Sequence, residues 1–163
     1  MVAGVEVAAY VFERVDPEVT FRAQVKDGDR VEGGTVIATV SGKARSILTA
    51  ERTALNLLGR MSGVATATAR FVEAAEGTGA RISDTRKTMP GLRVLDKYAV
   101  LAGGGISHRR GLYDAVMIKD NHLEMAGSLT EAVRRARCLA AATTRIEVET
   151  ESLAQVEEAV GLG

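Results

Sequence analysis

Arg86 and Lys87 stand side by side in SDTRKTMPGLR (residues 83–93), between a short apolar run and a Pro-Gly pair. An arginine offers planar, bidentate donors suited to a carboxylate, and a lysine offers a compact charge suited to a phosphate. Further ionisable groups sit at comparable points. His108 and Arg109 follow the triple glycine of AGGGISHRRGLYD, Lys119 and Asp120 close DAVMIK, and Glu149 closes TRIEVE. Each alone has an ordinary explanation. A loop arginine faces solvent, a single histidine hydrogen-bonds within its fold, and a strand-end glutamate is a surface charge. Lys119 resists that explanation, because a lysine ending an apolar strand is costly to bury. Glu147 lies two residues before Glu149 on the same strand face and competes for its role.

Residues 81–122 hold eight Lys or Arg against four Asp or Glu, although the whole chain carries 21 of each. A neutral chain argues against a general nucleic-acid binder, and a local positive excess suits a small polyanion bearing carboxylates or phosphates. With two histidines and one cysteine, a transition-metal site has few ligands to draw on, His122 in KDNH included. The glycine run lacks the strand–GxGxxG–helix setting of a dinucleotide site.

These groups require elements that bring strand ends to one rim. From residue 80 the pattern alternates: strands at ARIS (80–83), DAVMIK (114–119) and TRIEVE (144–149), each followed by a helix, over 90–102, 128–141 and 152–160. Ser128 with Glu131, and Ser152 with Gln155, have capping-box spacing. Such alternation predicts parallel strands, with functional groups on the loops after their C-terminal ends. Three units are too few to close a barrel.

The first part of the chain differs. AYVFERV, VTFRAQVKDGDRV and TVIATVSG read as strands. Residues 44–76 have helical spacing, with a break expected at Ser62-Gly63. KDGDRVEGGTVIATVSG has the look of a lipoyl or biotin carrier, but neither Lys26 nor Lys43 has the exposed hairpin setting that modification needs. The fold expectation from these patterns is α/β, with the change of pattern falling at 78/79. Cys138, the one cysteine, sits in an apolar helical run and reads as a core thiol. No apolar run approaches the roughly 20 residues of a membrane span, so the expected setting is cytoplasmic.

TAERTALNLLGRMSGVAT, SDTRKTMPGLR, KYAVLAGGGISHRRGLYDAVMIKDNH and IEVETESL resemble, in order and spacing, the quinolinate phosphoribosyltransferase family. The resemblance implies an α/β sandwich-type part over 1–78, then part of an open (β/α) barrel with parallel strands over 79–163. It implies transfer of phosphoribosyl from phosphoribosyl pyrophosphate to quinolinate with decarboxylation, in NAD biosynthesis. It implies magnesium bound with phosphoribosyl pyrophosphate, and a homodimer in which Arg52 reaches into the neighbour's site. By motif, Arg86, His108 and Arg109 correspond to the carboxylate-binding group, and Lys87 and Lys119 to partners of phosphoribosyl pyrophosphate and of the developing charge. Glu149 corresponds to the acid near the ribose hydroxyls and magnesium. Ser107 stands where asparagine is more usual. The family chain begins before MVAGVEVA and continues past IEVETES, so a fragment is expected. The alternatives are a paralogue of molybdenum-transport type acting on another acid, and a non-catalytic anion-binding fragment.

Overall fold

In a computed structural model describing residues 1–163, the chain divides into two compact units, Met1–His108 and Arg109–Gly163. This division falls later than the change of sequence pattern at 78/79. The reason lies in the first unit, where the segment after residue 79 packs back on the preceding helix.

That helix, α2 (Ala44–Ala74), buries Ala50, Ala54, Leu58, Met61, Ala65, Thr68 and Ala69. Spacings of three and four place these residues on one stripe, and the alanines let neighbours approach closely. Helix α1 (Val5–Val15) packs on the first half of the stripe through Val5, Ala8 and Phe12. Helix α3 (Arg93–Ala102) packs on the second half through Ala99.

The expected break at Ser62-Gly63 does not occur. Ser62 Oγ accepts from the Ala3 N–H (3.0 Å) and donates to the Ala3 carbonyl (3.2 Å), so it does not compete with the helix backbone. Gly63 costs about 1 kcal/mol relative to alanine, less than burial of Met61 contributes at about 1.5–3 kcal/mol.

AYVFERV, rich in β-branched residues, lies in α1 and not in a strand. The helical period of Val5, Ala8 and Phe12 decides the outcome. A remote cap assists: the Asp27 carboxylate accepts from the N–H groups of Gly4 (2.9 Å) and Val5 (3.0 Å). Tyr98 donates to the same carboxylate (2.8 Å), and that bond, with burial, pushes its phenol up to about 12. Asp27 is delivered by the connection between β1 (Thr20–Ala23) and β2 (Ala38–Ser41). These two strands pair antiparallel with Phe21 opposite Val40, where VTFRAQV and TVIATVSG predict strands.

Helix α3 ends in the glycine run. A Cβ on Gly103 would lie 2.5 Å from the Ala65 carbonyl oxygen, and one on Gly105 would lie 2.7 Å from Val100 Cγ1. Gly104 has φ 85°. The glycines therefore turn the chain and seat it against α2. Ile106 then returns beside the first predicted strand, where its N–H donates to the Ile82 carbonyl (2.8 Å) and its carbonyl accepts from the Asp84 N–H (3.2 Å). ARIS thus makes a single parallel bridge, Ser83 to Ile106, in place of a full strand. Arg81 and Ser83 are exposed, which leaves little apolar surface to hold a longer ladder.

In the second unit, β3 (Val116–Ile118) and β4 (Ile146–Val148) pair in parallel, Val116 with Ile146 and Ile118 with Val148. Between them run α4 (Asp120–Ala126) and α5 (Leu129–Leu139), and α6 (Leu153–Gly161) follows. Ile118, Leu129, Ala132 and Val133 form the core, flanked by Ile146 and Val148. Ser128 and Ser152 cap as their spacing predicts, accepting from the N–H groups of Glu131 (3.1 Å) and Gln155 (3.2 Å). The Glu131 carboxylate itself pairs with Arg134 and Arg135. Cys138 is exposed, contrary to expectation, because the buried stripe of α5 begins at Leu129 and passes it by. Helix α4 was not expected. No helix is long and apolar enough to cross a membrane.

Gly103→Ala should lose about 1–3 kcal/mol of stability through overpacking against α2. Gly59→Ala, at an exposed helical glycine with open space around its Cβ, should be neutral or stabilising by up to about 1 kcal/mol. Urea denaturation of both variants checks the contrast, and equal midpoints would contradict it.

Candidate functional site

In the first unit, the parallel bridge sets Asp84 beside Ser107 and His108. The Asp84 carboxylate accepts from the His108 N–H (2.9 Å) and from Ser107 Oγ (3.1 Å). It also forms an ion pair with Lys97 of α3, and the two side chains are only 4% and 6% exposed. Lys97 Nζ donates in addition to the His108 carbonyl (3.2 Å). The His108 peptide is therefore gripped at both N–H and C=O.

The loop that follows Asp84 is held from several sides. Thr85 Oγ1 accepts from the Lys87 N–H (3.0 Å), and Arg93 donates to Thr88 Oγ1 (3.2 Å). Asp96, on α3, accepts a bidentate pair from Arg60 of α2 (2.8 and 2.7 Å) and the Met89 N–H (3.1 Å). Burial pushes the Asp96 carboxyl up, but the Arg60 and Met89 hydrogen bonds outweigh it and hold the group below the usual aspartate value. Within this frame Arg86 is half-buried, and its Nε is buried with no hydrogen-bond partner. Lys87 is exposed. An arginine donor removed from water is a standing demand for an acceptor, and an anion answers it best.

In the second unit, Lys119 and Glu149 follow the ends of β3 and β4 and form an ion pair, with side chains 44% and 58% exposed. Such a pair contributes little to stability, about 0–1 kcal/mol, and can exchange partners. Glu149 also lines a cleft of about 300 Å³ with Asp120, Asn121, Glu124, Glu151 and Gln155. Glu147, the rival for its role, is not in this lining. His122 accepts the Lys119 N–H through Nδ1 (2.9 Å), so it caps α4. Arg109 is half-buried, and its Nη1 donates to the Ala115 carbonyl (3.4 Å). The Asp114 carboxylate closes the neighbouring loop on the N–H groups of Arg110 (2.7 Å) and Gly111 (2.9 Å).

Arg86, Lys87 and His108 thus belong to the first unit, and Arg109, Lys119 and Glu149 to the second. Arg52 is exposed on α2. Leu48 and Leu55, at helical spacing on either side of it, are 66% and 52% exposed. Sequence reasoning missed Asp84, Asp96, Arg60 and Lys97. Arg60 reads as a solvated helix charge and Lys97 as one more cation, yet both are matched to carboxylates across the fold. The available signal was the placement of Asp96 and Lys97 within the largely apolar run VLDKYAVLA.

Residues 1–62 match the N-terminal domain of quinolinate phosphoribosyl transferase, and residues 64–163 match its C-terminal domain. A probable nicotinate-nucleotide pyrophosphorylase (carboxylating) of Synechocystis is 48% identical over 160 residues, which cover 98% of this chain and 54% of the relative. The corresponding protein of Mycobacterium leprae is 49% identical, over 96% of this chain and 56% of its own. Among solved structures, NadC from Streptococcus pyogenes superposes with a TM-score of 0.94 at 48% identity, over 99% of this chain and 57% of that one. The chain spans little more than half the length of these relatives.

Asp96→Asn should destabilise by about 1–3 kcal/mol at neutral pH. Because the folded pKa of Asp96 lies below its ordinary value of 3.8, its contribution is present above pH 3.8 and is lost as pH falls through the lower folded value. The gap in melting temperature between parent and variant should therefore narrow on acidification below pH 3.8. A gap that does not change with pH would show that the Asp96 charge is not the source.

Proposed function

Since the chain belongs to the quinolinate phosphoribosyl transferase family, we propose that it is part of a cytoplasmic enzyme that makes nicotinate mononucleotide. The reaction joins quinolinate to phosphoribosyl pyrophosphate and releases pyrophosphate and carbon dioxide. The observation that carries this reading is the buried, unpartnered Nε of Arg86 in a loop clamped at Asp84 and Asp96. The loop presents a fixed donor for an anion.

In this reading Arg86, His108 and Arg109 hold the two carboxylates of quinolinate, while Lys87 and Lys119 hold phosphate oxygens. Magnesium, in this reading, would be brought in with phosphoribosyl pyrophosphate, bound to its diphosphate, with Glu149 the acid near it. As the bond from ribose C1 to pyrophosphate breaks, negative charge grows on the leaving group and positive charge on the sugar. The Lys119–Glu149 pair presents both signs: the ammonium meets the first and the carboxylate the second. The ring nitrogen of quinolinate takes the sugar carbon, and the resulting pyridinium accepts the electron pair released when the adjacent carboxylate leaves as carbon dioxide. The protein's work is alignment and exclusion of water from the sugar cation.

We further place Arg52 across a homodimer interface. Leu48 and Leu55 give its helix face two exposed apolar side chains that a second copy would cover.

With phosphoribosyl pyrophosphate and magnesium, the full-length protein should release labelled carbon dioxide from carboxyl-labelled quinolinate. Arg109→Ala should raise the quinolinate KM by roughly ten- to a hundredfold, the loss of a charged hydrogen bond worth about 1.5–3 kcal/mol. No release from the full-length protein would assign a different acid, and unchanged kinetics would remove Arg109 from the site.

Mixing Arg52→Ala with Arg86→Ala subunits tests the trans contribution. A mixed dimer contains one site with both arginines intact, so activity should return on mixing. A mixture no better than its components would place Arg52 in its own subunit's site or outside any site.

A further inference from the structure

The Asp84–Lys97 pair is not on any substrate-facing surface, since both side chains are almost wholly buried. A pair removed from water is poor evidence for stability, because well-packed apolar residues often serve as well or better. What the pair does in this fold is geometric. Asp84 takes the N–H of His108, Lys97 takes its carbonyl, and Ser107 Oγ bonds to both the Asp84 carboxylate and the same carbonyl (3.1 Å). With its peptide fixed on both sides, His108 has one backbone direction along which its imidazole can leave. Arg86 lies two residues beyond Asp84 on the opposing segment, so one carboxylate sets both the segment that carries Arg86 and the segment that carries His108.

We infer that Asp84 is a positioning residue for the dicarboxylate substrate: it fixes the His108 peptide against the Arg86 loop, with Lys97 as its counter-charge. The inference deepens the proposed function and rests on His108 and Arg86 holding carboxylates. Its essential feature is the acceptor at Asp84, not the charge.

Two double variants of the full-length protein separate these. Asp84→Leu with Lys97→Met removes both the ion pair and the acceptor, and Asp84→Asn with Lys97→Met removes the pair but keeps an amide oxygen for the His108 N–H. Neither leaves a buried charge alone, which guards against simple unfolding. The leucine double variant should raise the quinolinate KM by about ten- to a hundredfold, as expected for a misplaced binding group. Its KM for phosphoribosyl pyrophosphate should change little, and both double variants should remain folded at the assay temperature by circular dichroism. The asparagine double variant should return the quinolinate KM to within about threefold of the parent, on the same misplacement scale. Equal quinolinate KM values in the two double variants, raised or not, would overturn the inference.

A second readout holds even if the proposed reaction is wrong. The imidazole resonances of His108, assigned by loss in His108→Ala, should move in the leucine double variant and stay near the parent position in the asparagine one. Identical spectra for all three proteins would overturn the positioning role, while parent protein inactive on quinolinate would overturn only the reading of the substrate.

Discussion

A carboxylate taken out of water must collect donors, and the first unit is organised around two that do so. Asp84 and Asp96 are nearly buried, and left alone each would cost several kcal/mol. Their donors come from separate parts of the chain. Asp84 draws on Lys97, Ser107 and His108, and Asp96 on Arg60 and Met89. Satisfying the two groups ties helix α2, helix α3, the loop after Ser83 and the segment after the glycine run into one arrangement. The loop that bears Arg86 and Lys87 is anchored near both ends as a consequence.

That arrangement needs close approach as well as charge. The alanine stripe on α2 admits α1 and α3, and Gly103 lets the turn after α3 sit against the α2 backbone where any Cβ would collide. Small residues and buried charges therefore cooperate. The first bring the backbones together, and the second specify which backbone groups face each other. The apparent positive excess of residues 81–122 looks different in this light. Lys97 is neutralised within the core and Arg93 holds the loop through Thr88, so the cations left for an anion are fewer than the count implies.

The second unit uses charge in another way. Lys119 and Glu149 are paired but largely exposed, so their union is weak and their partners can change. A buried pair such as Asp84–Lys97 holds geometry, whereas an exposed pair at adjacent strand ends can open and re-form at little cost. Glu149 stands at the edge of an acidic cleft with Asp120, Glu124 and Glu151.

Much of this was legible without coordinates. The period of residues 44–76, the capping serines at 128 and 152, the parallel strands at 116–118 and 146–148, and the clustering of ionisable residues after strand ends are all local patterns. Local chemistry is written in consecutive residues. Composition misled at α1, where valines suggested a strand but the spacing of Val5, Ala8 and Phe12 and the distant Asp27 carboxylate made a helix. The expected break at Ser62-Gly63 vanished because Ala3 bonds Ser62 from the other end of the unit. Cys138 turned outward because helix rotation is set by which stripe finds a core. The sequence by itself determined the local helical and strand periods and which charged residues follow the expected strand ends. Only the tertiary structure decided which charges were consumed in holding the fold, because pairing energy in a low-dielectric interior depends on distances between residues far apart in the chain.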